Sequence, residues 1–176
     1  MNGWDKYFLD VCNAVAKNSK CLSRHVGCIL VRDRSIISQG YNGPPRGVPH
    51  CGDRYYVDSL IMKELEMQGI NVANVNSKRC PRYTLGYKSG EGLHLCNAGH
   101  AERNVLISAA RFGISTKDAK LYCDCGTPCG DCLIEIINAG IEEIIVTHLD
   151  LYDEKSKFLL SSSGIKIRTY QLQEEK

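Results

Sequence analysis

The sequence predicts an α/β fold, a three-layer α/β/α arrangement around a central mixed five-stranded sheet. Three observations predict it. Apolar residues switch between helical and alternating spacing along the chain. Two early extended runs are separated by a short polar break, as in a hairpin. The C-terminal half alternates helix and strand, an order that argues for a sheet covered by helices on both faces.

Tyr7, Phe8, Val11, Ala14 and Val15 recur at helical spacing, so residues 4–18 read as an amphipathic helix. Val26 to Val31 form an apolar run, Arg32-Asp33-Arg34 break it, and Ile36-Ile37 open a second extended segment. Together they read as a β-hairpin ending near Gly40. Gly40, Gly43, Pro44, Pro45 and Gly47 then mark an irregular loop. Between 48 and 96 only Tyr55 to Gln68 has helical character; the rest reads as loop, long enough to need something that ties it down.

Ala101, Val105, Leu106, Ala109 and Phe112 form one helical face, stopped by Gly113. Lys120–Cys123 reads as a strand. Pro128–Ala139 reads as a helix, with Thr127 as N-cap, Pro128 at a tolerated first-turn position and Gly140 as the stop. Its Leu133, Ile134, Ile136 and Ile137 predict deep burial. Glu143–Thr147 is a further strand, Glu154–Ser162 a helix and Ile165–Gln171 a final alternating strand.

The 176 residues fit one domain carrying an insertion at about 48–96, large enough to bury a core without disulfides. A net charge of +2 argues against a duplex-binding stripe, so no stable nucleic-acid partner is expected, and it leaves room for a small phosphorylated ligand. No apolar run reaches the length of a membrane helix. The N-terminus lacks the basic and apolar regions of a signal peptide, so the expected location is cytoplasmic. Ten cysteines in a reducing compartment are thiols or metal ligands, and zinc is the first metal to consider.

Two motifs carry chemistry: His100-Ala101-Glu102 and Pro128-Cys129-Gly130-Asp131-Cys132. Cys129 and Cys132, three apart at a helix start, share a face, and the helix N-terminus favours thiolates. With His100 they give three N/S ligands, the donor count of a catalytic zinc site that keeps its fourth position for water. Glu102 cannot reach the same metal as His100 from within one regular helix, so His100 is expected at the helix entry, with Glu102 as proton shuttle rather than ligand. The alternative is a closed structural knot of Cys123, Cys125, Cys129 and Cys132, which leaves His100 and Glu102 unexplained.

His-x-Glu followed by Pro-Cys-x-x-Cys is the signature of the zinc nucleobase deaminases. The chain resembles the deoxycytidylate (dCMP) deaminase family over nearly its whole length apart from 52–95. The resemblance rests on Trp4 to Phe8, Ser19-Lys20-Cys21, Val26-Gly27-Cys28, Gly40-Tyr41-Asn42-Gly43 with Pro45, and His100 to Glu102 with Asn104. Pro128 to Cys132, Ala139-Gly140-Ile141 and Tyr152-Asp153 complete it.

The resemblance implies a cytidine deaminase-like fold and hydrolysis of dCMP to dUMP and ammonia, with a zinc-activated hydroxide as nucleophile and Glu102 moving the protons. It implies a substrate-binding set of Ser23, Asn42 at the deoxyribose, Ala101, Thr127, and Tyr152 near the phosphate. It also implies a homo-oligomer, often a hexamer, regulated by dCTP and dTTP bound with Mg2+; Asn42, Gly43, Arg46, Asn104 and Arg111 resemble the effector region. Some relatives hold a second, structural zinc, for which Cys21, Cys51, Cys80 and Cys96 are the candidates here, with His50 and His94 as substitutes. Scattered free thiols are the competing reading of those cysteines. Lys78, Arg79, Arg82 and Lys88, interleaved with Tyr83 and Tyr87, read as a solvated loop or subunit contact before a nucleic-acid surface.

Two other readings compete. One is a deaminase of another cytosine or adenine substrate, such as tRNA adenosine, a riboflavin precursor or free cytidine. The other is a non-catalytic zinc module, against which Glu102 and the three-ligand set discriminate.

Overall fold

Along β1 (Gly27–Arg32) every residue from Cys28 to Val31 is buried, with Cys28 and Leu30 on one face and Ile29 and Val31 on the other. A strand buried on both faces must lie inside a sheet with helices above and below it. The computed structural model, which describes residues 3–151 and 153–170, shows that arrangement. Its five-stranded sheet has the order β2-β1-β3-β4-β5. β2 (Ser35–Tyr41) and β3 (Lys120–Cys123) both pair antiparallel with β1. β4 (Glu143–Val146) and β5 (Lys166–Thr169) extend the sheet in parallel from β3. The β1–β2 turn places Asp33 and Arg34 both at positive φ, 52° and 60°, the backbone twist that suits a two-residue hairpin.

The chain divides into two compact units, one comprising residues 1–19, 26–42 and 100–176, the other 20–25 and 43–99. In the first, α1 (Gly3–Ala16) buries Phe8, Leu9, Cys12 and Val15 against Ile29, Val31, Tyr122 and Ile145. α5 (Ala101–Arg111) and α6 (Gly130–Asn138) cover the opposite face. Val105, Ala109, Cys132, Leu133 and Ile136 meet Cys28, Leu30, Leu121, Cys123, Ile144 and Val146 there. Leu159 and Leu160 of α7 (Glu154–Ser163) pack against the same cluster.

Two glycines set the closeness of these layers. A Cβ on Gly27 would lie 2.1 Å from the Cys12 carbonyl oxygen, and one on Gly40 would lie 2.3 Å from the Val105 nitrogen. α1 and α5 therefore rest backbone-to-backbone on the hairpin.

Some expectations need correction. The first helix stops at Ala16, and Gln171 of the expected last strand lies outside the described residues. α6 is not buried all round: Ile134 is 39% exposed and Ile137 half-buried, because four apolar residues at this spacing subtend more than the one face the sheet can cover.

In the second unit the expected helix over 55–68 is broken into α2 (Arg54–Val57) and α3 (Ser59–Met67). Asp58 causes the break, its side chain capping α3 through the amides of Leu60 and Ile61. The region expected as loop contains α4 (Pro81–Thr84) and two 3-10 turns around a core of Tyr55, Ile61, Leu65, Leu85 and Leu95. Buried Arg54 ties it together, donating to the Leu95 carbonyl at 2.7 Å and to Asp58 at 2.6 and 2.9 Å. Tyr55 does the same through its hydroxyl, 2.9 Å from the Arg79 carbonyl and 2.6 Å from Thr84 Oγ1. Among the described residues no helix is long and apolar enough to cross a membrane.

Candidate metal centre

His100 is the N-cap of α5, with extended backbone (φ −69°, ψ 151°). Its carbonyl accepts the first helical bond, from Asn104 N–H at 3.0 Å. Because His100 stands outside the helical turn, its ring is not forced to the side opposite Glu102, two residues on. Glu102 lies in the first turn and is 6% exposed. The charge of its carboxylate is felt by the Cys132, Cys28, Cys123 and Cys125 thiols.

Cys129, not Thr127, is the N-cap of α6, with φ −66° and ψ 161°. Thr127 turns its hydroxyl instead to the 147–153 loop, where Oγ1 accepts from Asp150 N–H at 3.2 Å. Cys132 follows as the third helical residue, and both sulfurs face His100: Nδ1 lies 3.5 Å from Cys129 Sγ and 3.3 Å from Cys132 Sγ. Zinc bonded tetrahedrally to one imidazole nitrogen and one thiolate would set those atoms about 3.6 Å apart. The residues present therefore fit that ion. A hydrogen bond from the Cys132 thiol, opposed by burial and helped by His100, pulls the Cys129 thiol down to about 4. Among the described residues, His100, Cys129 and Cys132 are the group of three such ligand atoms lying within 4.8 Å of one another. Cys123 is drawn elsewhere, its sulfur 3.0 Å from Cys28 Sγ inside the sheet core.

The zinc-binding region characteristic of cytidine and deoxycytidylate deaminases matches residues 2–148. The chain belongs to the cytidine and deoxycytidylate deaminase family. It is 34% identical over 167 residues to the deoxycytidylate deaminase of Schizosaccharomyces pombe and 33% identical over 172 residues to that of Saccharomyces cerevisiae. It spans 95% and 98% of its own length in those matches but only 44% and 46% of the two yeast proteins. The deoxycytidylate deaminase of Enterobacteria phage T2 is 30% identical over 169 residues, covering 90% of this chain and 88% of the phage protein. Among solved structures, the dCMP deaminase of cyanophage S-TIM5 in complex with dCMP and dUMP shares the fold, with a TM-score of 0.66 at 19% identity over 97% of this chain and 98% of that one.

In this member of the deaminase family, Asn42 is fixed on every backbone side. Its N–H donates to the Val26 carbonyl at 3.1 Å, its carbonyl accepts from Ser19 Oγ at 2.7 Å, and its Oδ1 accepts from Val26 N–H at 2.8 Å. Asp124 holds the neighbouring peptide in the same way, Oδ1 accepting from Gly27 N–H at 2.8 Å while its own N–H donates to the Gly27 carbonyl at 3.2 Å. Burial pushes the Asp124 carboxyl up to about 6, against the pull of the Gly27 amide. Nothing in the sequence reading assigned Asp124; the one signal was an acid placed directly after an apolar strand.

Ala101 and Thr127 are buried at the starts of the two motif segments. Ser23 belongs to the second unit, its hydroxyl 2.6 Å from that of Tyr83. Tyr152 lies outside the described residues. Of the effector candidates, Asn42, Asn104 and Arg111 are in the first unit, and Gly43 and Arg46 in the second. Asn104 Nδ2 donates to the Tyr41 carbonyl at 2.8 Å, and the exposed Arg111 guanidinium lies 5.5 Å from the Phe112 ring centroid. Cys21, Cys51, Cys80 and Cys96 all fall in the second unit, where burial and the charges of Cys80, Cys21 and Cys96 raise the Cys51 thiol. In the basic stretch, Arg82 is buried and Tyr87 packs partly against the unit's core, so neither offers an open stacking face.

Proposed function

We propose that this chain deaminates dCMP hydrolytically to dUMP and ammonia. One observation carries the reading: a buried carboxylate, Glu102, lies in the first turn of a helix whose N-cap imidazole meets two thiols from another helix start. The names of the yeast and phage relatives support dCMP as substrate. Zinc bound by His100, Cys129 and Cys132 would supply a Lewis acid that lowers the pKa of a water toward neutrality.

Glu102 would take one proton from the attacking water and deliver it to N3 of the pyrimidine as oxygen adds at C4. It would then take the second proton from the hydroxyl now on C4 and pass it to the departing amine, leaving ammonia and the C4 carbonyl of dUMP. Glu102 carries protons and is no ligand in this reading: it is buried, and the ligand atoms that gather are those of His100, Cys129 and Cys132. Asn42, with Ala101 and Thr127, would hold the nucleotide.

The same reading includes a second zinc on Cys21, Cys51, Cys80 and Cys96, and regulation of a homo-oligomer by dCTP and dTTP with Mg2+. Ammonia release from dCMP, CMP, dCTP, cytidine and an adenosine-containing RNA tests the substrate assignment. Preference for dCMP is expected, and preference for any other member of the panel overturns it. Flat activity across a dTTP titration at subsaturating dCMP removes the regulation.

A further inference from the structure

Val26 and Gly27 form the entry to β1, and each is gripped from a different side by a side chain that imitates a strand. On one side the Asn42 amide oxygen takes the Val26 N–H at 2.8 Å while the Asn42 N–H goes to the Val26 carbonyl. On the other, the Asp124 carboxylate takes the Gly27 N–H at 2.8 Å while the Asp124 N–H goes to the Gly27 carbonyl. Each side of β1 thus gains one further rung beyond its regular ladder, which ends at Gly27↔Tyr41 on the β2 side and Cys28↔Cys123 on the β3 side.

The third side is closed by α1. The Cys12 carbonyl and Ala16 nitrogen come so near Gly27 that a Cβ would lie 2.1 and 2.6 Å from them. The dipeptide therefore has two adjustable neighbours, Asn42 and Asp124, and movement of one is passed to the other through a single peptide unit. The regular ladders do not need Asp124, since the backbone pairs of β1 with β2 and β3 are complete without it.

We propose that Asp124 is a positioning residue for nucleotide binding, acting through Gly27 and Val26 to fix Asn42 where it meets the substrate sugar. The proposal rests on the dCMP deaminase reading above. It puts the cost of losing Asp124 on substrate affinity rather than on the chemical step.

The test is a double-mutant cycle in the zinc-loaded full chain: Asp124→Ala, Asn42→Ala and the two combined, with KM and kcat for dCMP. Losing a charged acceptor to a buried amide should raise KM about tenfold in Asp124→Ala and leave kcat within about threefold of wild type. Asp124→Asn, which keeps an oxygen acceptor, restores most of the affinity. The double variant binds no worse than Asn42→Ala alone, because both act through one contact. An unchanged KM in Asp124→Ala, additive losses in the double variant, or a loss confined to kcat overturns the proposal. If Asp124→Ala does not fold, Asp124→Ser takes its place in the cycle, and failure of both to fold also overturns it. Absence of dUMP formation by the wild-type chain is a separate result, which overturns the deaminase reading itself.

Discussion

Arg103 Nε donates to Glu135 Oε1 at 2.8 Å, joining the helix entered by His100 to the helix entered by Cys129. The Arg103 Nη2 group adds a second contact to the same oxygen. The pair therefore ties α5 to α6, the two helices whose N-caps are His100 and Cys129. Both side chains are more than a third exposed, so the pair contributes little to overall stability, about 0.5 kcal/mol. Glu135→Gln should barely move the urea midpoint yet speed zinc loss to a chelator severalfold. Equal rates of zinc loss in variant and wild type would show that the brace does not act on the site.

The contact of α5 with β2 depends on Gly40. Its missing Cβ would stand 2.3 Å from Val105 N and 2.7 Å from Val105 Cα, backbone atoms that no side-chain rotation can clear. Gly40→Ala should cost about 3 kcal/mol by overpacking and displace α5, so both thermal stability and zinc content fall. Melting together with metal analysis checks this. A variant with wild-type melting temperature contradicts the packing.

Much of this architecture is legible in the residues. The apolar run Val26 to Val31 marks a strand of the hairpin, and His100-Ala101-Glu102 with Cys129-x-x-Cys132 marks the site. The Thr127 cap is misread because capping preference favours its hydroxyl, whereas the helix begins two residues later at a cysteine held toward His100. The second unit is hard to read because only Ile61 and Leu65 of its core stand at helical spacing, Tyr55, Leu85 and Leu95 come from separate segments, and buried Arg54 looks in sequence like a surface cation. Asp124 is missed because its role exists only once Gly27, far away in sequence, is brought beside it.

Acid should loosen the sheet edge at Asp5. Its buried carboxylate accepts from Tyr122 Oη at 2.7 Å and from Arg168 at 2.8 and 3.1 Å, while Arg168 and Lys120 each donate to Glu143. Burial by itself raises Asp5 and Glu143, but their partners outweigh it and hold both below the usual carboxylate range. Groups with depressed folded pKa values add stability that is fully present above their unfolded values, about 3.9 and 4.3, and lost as pH falls through the folded ones. Unfolding free energy should therefore decline below about pH 4. Asp5→Asn should be about 2 kcal/mol less stable at neutral pH and flatter in acid. An acid limb as steep in Asp5→Asn as in wild type contradicts this assignment.

Metal analysis separates the two proposed zinc sites. With both occupied, wild type should carry two zinc ions per chain, and Cys51→Ser with Cys80→Ser should carry one while keeping dUMP formation. One zinc per chain in wild type leaves Cys21, Cys51, Cys80 and Cys96 as thiols and removes the second site.

The most direct test of the central claim pairs zinc content with turnover in Glu102→Gln. The substitution keeps the shape of a buried side chain beside Cys132 while removing its capacity to carry a proton. The proton-carrying role of Glu102 predicts undiminished zinc at His100, Cys129 and Cys132, with dUMP formation from dCMP lowered about a thousandfold. Wild-type turnover by a zinc-replete Glu102→Gln chain would contradict it.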